Sequence, residues 1–126
     1  MTNESDTPPP VAYTPEFKRN LRQLAKKYRH IRKDIQPIID QVAAGARPGD
    51  RITGLTHMIF KVRVANSDAR KGKSDGYRII YQIKEKEMIV LITIYSKTEQ
   101  ADIAAAEIRR IIAAHESLEV DQSEDR

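Results

Sequence analysis

Cysteine is absent from the 126 residues, which removes disulfide frameworks, thiol nucleophiles and every thiolate metal site, and fits a reducing compartment. No apolar run approaches the roughly 20 residues that a membrane-spanning helix needs. The opening "MTNESDTPPP" has neither a basic start nor an apolar block, so a soluble, unexported, cytoplasmic protein is expected. No internal repeat is visible. The length suits one domain with a single modest core and is too short for two.

What the chain does have is positive charge, and the net value of +4 understates it. The first ten residues carry Glu4 and Asp6, and the stretch from Glu116 carries Glu116, Glu119, Asp121, Glu124 and Asp125 against Arg126. Without those two ends, residues 11–115 hold 21 Lys and Arg against 11 Asp and Glu, an excess of +10. A compact domain with that surplus repels itself, so a polyanion such as nucleic acid, or an acidic protein partner, is expected; charge alone names neither. Both ends are polar, acidic and poor in large apolar residues. Residues 1–10 and 116–126 are therefore read as disordered tails flanking one domain over 11–115, with "PPP" an extended spacer.

Within the domain, a short strand at "VAY" precedes a helix for which Thr14 is a capping residue and Pro15 is preorganised at the first position. Phe17, Leu21, Leu24, Ala25 and Tyr28 recur on one face, and Lys18, Arg19, Arg22, Lys26 and Arg29 on the other. Ile31, Ile35, Ile38, Ile39 and Val42 describe a second helix, ended by "AAGARPGD". Pro37 costs roughly 3 kcal/mol inside a helix, which predicts a start near Asp34 that puts Pro37 in the first turn.

From His57 the period becomes two. Met58, Phe60, Val62 and Val64 share one parity, and Lys61 and Arg63 the other; Tyr77, Ile79, Tyr81 and Ile83 oppose Arg78, Ile80 and Gln82. "MIVLITIY" is apolar on both parities and suits a strand covered on both faces. "NSDARKGKSDG" and "EKE" are the turns, and Ile103, Ala106, Ile108, Ile111 and Ile112 describe a last helix beginning near Ser96 or Thr98. The order β-α-α-β-β-β-α predicts an α+β domain. Lys61, Arg63 and Arg78 then project to the solvent side of adjacent strands, with Tyr95 and Lys97 sharing a parity on the next. Arg70, Lys71 and Lys73 overhang them from the loop, where cations grip successive phosphates.

Two tempting motifs fail. Gly72-Lys73-Ser74 ends like a phosphate-binding loop, but the required first glycine falls at Ser67. Asp102 and Glu107 lie five apart, on different faces of a helix, which argues against a paired metal site. No cofactor is expected.

The block "FKVRVANSDARKGKSDGYRIIYQI...MIVLITIYSKTEQ" resembles the RelE/ParE toxin superfamily, and "ANSDARKGKSDGYRIIY" with "ITIYSK" is most similar to its HigB-like branch of RelE-type toxins. The resemblance covers about Tyr13 to Ala113. It implies an antiparallel sheet packed against an N-terminal helical hairpin, in a type II toxin silenced by an antitoxin of helix-turn-helix, DNA-binding type. It also implies entry into the ribosome and cleavage of messenger RNA. In that chemistry the substrate's 2′-hydroxyl attacks, and the protein supplies a base, an acid and positive charge. His30, His57 and His115 form no recognisable pair, so the family-like alternative is Lys, Arg and Tyr, with like-charge crowding available to activate a lysine.

Carried over by position, Arg78 in "GYR" matches the family's catalytic arginine at the scissile phosphate. Lys61 and Arg63 match the basic positions of the preceding strand, for substrate positioning or base assistance. Lys97 stands where relatives place another cation, here lysine rather than arginine, to orient phosphate or donate a proton. The C-terminal catalytic tyrosine of some relatives has no match, since the position reads Ile103; Tyr95 is the substitute, as stacking surface or acid, unless it only packs. Arg70, Lys71 and Lys73 are RNA or ribosome contacts. Tyr77 and Tyr81 are read as core. Competing functions are a ParE-type DNA gyrase inhibitor and a noncatalytic basic module that binds RNA or protein.

Overall fold

Thr14 begins the fold at a junction. Its Oγ1 accepts from the Phe17 N–H at 3.0 Å and donates to the Ile92 carbonyl at 2.6 Å, so one hydroxyl caps a helix and ties it to a strand. The computed structural model describes residues 11–69, 76–84 and 88–124; the expected tail over 1–10 lies outside them. The elements are β1 (Val11–Tyr13), α1 (Pro15–Lys27), α2 (Ile31–Ala43), β2 (Asp50–Arg51), β3 (Met58–Val64), β4 (Tyr77–Ile83), β5 (Ile89–Ser96) and α3 (Ala105–Glu124). They follow the predicted α+β order, with the two-residue β2 added.

The strands form one sheet in the order β1-β5-β4-β3-β2. All neighbours are antiparallel except β1, which runs parallel to β5 from Val11↔Ile89 to Tyr13↔Leu91. The parallel pairing follows from the two-helix crossover that separates β1 from the rest of the sheet. Alternation divides the apolar side chains of β3 and β4 between two cores. Phe60, Val62, Val64, Tyr77, Ile79, Tyr81, Leu91 and Ile94 join Phe17, Leu24, Ile31, Ile35 and Val42 in a core beneath α1 and α2. Ile59, Ile80, Val90, Ile92 and Tyr95 form a second core with Ile108, Ile111 and Ile112 of α3. Every residue of β5 is buried, as its two apolar parities require.

Three expectations need correction. Pro37 lies inside α2, not in its first turn. Burying Ile31 and Ile35 at the helix start, with 0% and 1% exposure, offsets the missing backbone bond. The last helix starts at Ala105 rather than near Ser96, because a turn intervenes in which Ser96 O accepts from Glu99 N and Gln100 N. Residues 116–124, expected to lack order, continue α3. No Pro or Gly interrupts them, and a helix nucleated by its packed isoleucines propagates at little cost per residue.

Gly49 controls the sheet's outer edge. It has φ +92, and a Cβ there would overlap the Lys61 carbonyl oxygen of β3. Pro48 before it accepts a 2.6 Å bond from Tyr81 Oη, and the Tyr81 ring stacks on Phe60. Gly45 has φ +100 but faces open space. Gly49→Ala is therefore expected to destabilise by about 2 kcal/mol or more, and Gly45→Ala by only about 1 kcal/mol. Urea unfolding of the two variants checks this; equal losses would contradict the close approach.

Candidate active site

Pairing places the candidate cations in rows. Across the face shared with α3, Arg63 pairs with Arg78 and Arg78 with Tyr95, while Lys61 pairs with Ile80 in the adjacent row. Strands about 4.8 Å apart put the three side chains of the first row side by side. The apolar residues Ile59, Ile80, Val90 and Ile92 of this face lie under α3. The helix thus covers one end of the face, and the basic row occupies the other.

Tyr95 reaches this row through an irregularity. Ile80 pairs with Thr93 but Tyr81 with Leu91, so Ile92 is an extra residue in β5. Strict alternation from Val90 would send Tyr95 to the α1/α2 core. The bulge exchanges the parities beyond it: Ile94 joins Leu91 in that core, and Tyr95 joins Val90 and Ile92 on the opposite face. Helix α1 satisfies the backbone there. Thr14 donates to Ile92 O, and Asn20 Nδ2 donates to Thr93 Oγ1 at 3.0 Å and to Ile94 O at 3.3 Å.

Arg78 departs from expectation. It was predicted on the solvent side, yet it is only 5% exposed. It sits mid-sheet with a paired strand on each flank, and its Nη1 donates to the Tyr77 carbonyl at 3.2 Å. A guanidinium so shielded from water acts on an approaching anion through a lower effective dielectric than a solvated one does. Arg63 is exposed and Lys61 half-buried.

The charge beside Lys61 is a carboxylate. Lys61 Nζ lies 3.2 Å from Asp102 Oδ1, which also accepts from the Ile103 N–H at 2.8 Å and from Tyr95 Oη at 3.4 Å. The expected like-charge crowding around a lysine is thus replaced here by an ion pair. The Ile103 amide, and then Lys61 and Tyr95, hold Asp102 below the ordinary carboxylate range against slight desolvation. Burial, reinforced by the Asp102 charge and hydrogen bond, pushes the Tyr95 phenol up to about 12, with Arg78 pulling the other way. At neutral pH Tyr95 is therefore a proton donor and not a base.

The structure thus brings Lys61, Arg63, Arg78 and Tyr95 onto one face. Lys97 adjoins them at the end of β5, but its Nζ donates to Ala101 O at 2.6 Å, closing the following turn. Arg70, Lys71 and Lys73 lie outside the described residues. Tyr77 and Tyr81 are fully buried in the core, as expected. Asp102 is the group that sequence reasoning missed as a partner of the cations. An acid just before an apolar helical pattern ordinarily reads as a cap, and nothing in its spacing from Lys61 signals their contact.

Among the described residues, no helix is long and apolar enough to cross a membrane. A model of the family described as the RelE toxin of the RelE/RelB toxin-antitoxin system matches residues 15–124.

Two raised phenols, Tyr81 in the core beneath α1 and α2 and Tyr95 in the site, give the fold an alkaline signature. Tyr81 and Tyr95 both titrate near 12 in the folded protein, against about 10 when unfolded. Their contribution to stability is complete below pH 10 and is lost as pH rises through 12. Urea midpoints are expected to fall from about pH 10 upward, and less steeply in Tyr95→Phe than in the parent. Parallel profiles for the two proteins would contradict the burial of this hydroxyl.

Proposed function

The chain belongs to the RelE toxin family, whose toxins are held in check by an antitoxin, and we propose that it is a ribosome-dependent endoribonuclease that cuts messenger RNA in the cytoplasm. The observation that carries this reading is the Arg63-Arg78-Tyr95 row with Lys61 beside it. Three cations on one face suit a phosphodiester, and a protonated phenol among them suits a departing alkoxide.

In this reading Arg63 and Lys61 grip the non-bridging oxygens, and Arg78 stabilises the negative charge that builds up on the phosphorane. The 2′-hydroxyl gives its proton to solvent as its oxygen bonds to phosphorus. The bond from phosphorus to the 5′-oxygen breaks, and Tyr95 protonates that oxygen and is reprotonated by water. The products are a 2′,3′-cyclic phosphate and a 5′-hydroxyl. In this reading the ribosome orients the strand against the row. The antitoxin of this reading is of helix-turn-helix type, and it silences the toxin by covering the row or by blocking entry to the ribosome.

Arg78→Lys keeps a cation at the buried position but loses the planar fork. It is expected to lower the cleavage rate by about 100-fold or more, with the circular dichroism spectrum unchanged. The measurement is cleavage of a reporter messenger RNA by purified protein with and without ribosomes, joined to mapping of 5′ ends in expressing cells. In-frame cuts that require ribosomes support the reading. Intact transcripts accompanied by broken DNA would replace it with gyrase inhibition.

A further inference from the structure

A carboxylate standing on a surface that must attract phosphate weakens that attraction, so its presence calls for another cause. Asp102 is such a group. Its side chain is 67% exposed, and an exposed ion pair by itself contributes little stability. Yet its Oδ1 receives donors from two different strands, Lys61 Nζ of β3 and Tyr95 Oη of β5, along with its neighbour's backbone amide. The turn that presents it is pinned throughout. Lys97 Nζ donates to Ala101 O, Gln100 Nε2 donates to Asp102 O at 3.0 Å, and Ser96 O accepts from Glu99 N at 3.0 Å and Gln100 N at 2.9 Å. The turn starts at the end of β5, just beyond Tyr95 and Ser96, so the bulge that aims Tyr95 also sets where the carboxylate stands.

We propose that Asp102 is a positioning residue of the cleavage site: its Oδ1 fixes the Lys61 ammonium and the Tyr95 hydroxyl relative to one another, so that the cation reaches the phosphate while the phenol faces the departing oxygen. This rests on the endoribonuclease reading above. Asp102 does not touch RNA in this role and is not the base. Its depressed titration makes it a poor proton acceptor, and Oδ1 already holds three donors. RNA arrives against its charge, and in return it holds the lysine ammonium and the phenol hydroxyl in one geometry, the kind of orientation whose loss lowers the rate of the chemical step.

Charge and geometry therefore predict opposite effects on the two kinetic constants. In Asp102→Asn the repulsion of phosphate disappears, whereas the fix on Lys61 and Tyr95 weakens. On ribosome-bound messenger RNA, kcat is expected to fall about 10- to 100-fold while KM stays level or falls. Asp102→Glu, which restores the charge on a longer arm, is expected to recover part of kcat. Alongside, Tyr95 is titrated by NMR in protein carrying ring-labelled tyrosine, and its midpoint is expected to move down from about 12 in Asp102→Asn. A merely structural cap would lower thermal stability and raise KM but would give no such split, and that outcome overturns the proposal. An unmoved Tyr95 midpoint also overturns it, whether or not RNA is cut. If the parent protein cuts no RNA, the functional reading falls and this proposal falls with it, even where the titration behaves as expected.

Discussion

The antiparallel pairing of β4 along both of its edges is the constraint on which the site depends. Arg78 has one neighbour in register on each side, Arg63 on β3 and Tyr95 on β5. A slip of one residue on either edge would turn a side chain of that row into the opposite core. The tolerance is small because both faces of the sheet are packed, one by α1 and α2 and the other by α3. Register is therefore held by apolar burial, at a distance from the polar groups whose placement it determines.

The bulge at Ile92 is a local departure from that regularity, and its stabilising contacts come from elsewhere in the chain. An extra residue in a strand disturbs the ladder and leaves backbone carbonyls in need of donors. Thr14 and Asn20, from the first helix and its cap, supply them at Ile92 and Ile94. The N-terminal helix thus does more than cover the sheet. It supports the irregular stretch that turns Tyr95 toward Arg78, so the chemistry of one face is maintained by hydrogen bonds made at the border of the other.

Electrostatically the domain is a cationic body with acids at a few chosen places. Glu16, Glu107 and Arg110 form an exposed network between α1 and α3, of the kind that contributes little. Asp102 differs because its partners are a strand lysine and a buried phenol. A basic surplus draws a polyanion to the surface, but the surplus alone does not distinguish a binding face from a reacting one. That distinction rests on a few groups held in fixed relation, which is why membership of a fold family leaves the chemistry to be argued from the site.

Much was legible from residues alone, and the reason is periodicity. Apolar spacing of 3.6 marked the three helices and spacing of 2 marked β3 and β4, because burial rewards those repeats; β5 was marked instead by a run apolar on both parities. The capping role of Thr14, the core positions of Tyr77 and Tyr81, and the common parity of Lys61 and Arg63 all follow from local pattern. Three things did not follow. Alternation put Arg78 in solvent, since period says which face a side chain takes and not how deeply neighbouring strands bury it. The bulge left no mark in "MIVLITIY", where Thr93 alone breaks an apolar and aromatic run and either parity reads equally well. The meeting of Asp102 with Lys61 joins residues 41 apart. Order along the chain thus determined which elements form and which way most side chains face, through local spacing and burial; the join between distant strands and the turn after β5 was decided only by three-dimensional packing, because contacts between remote residues have no period to read.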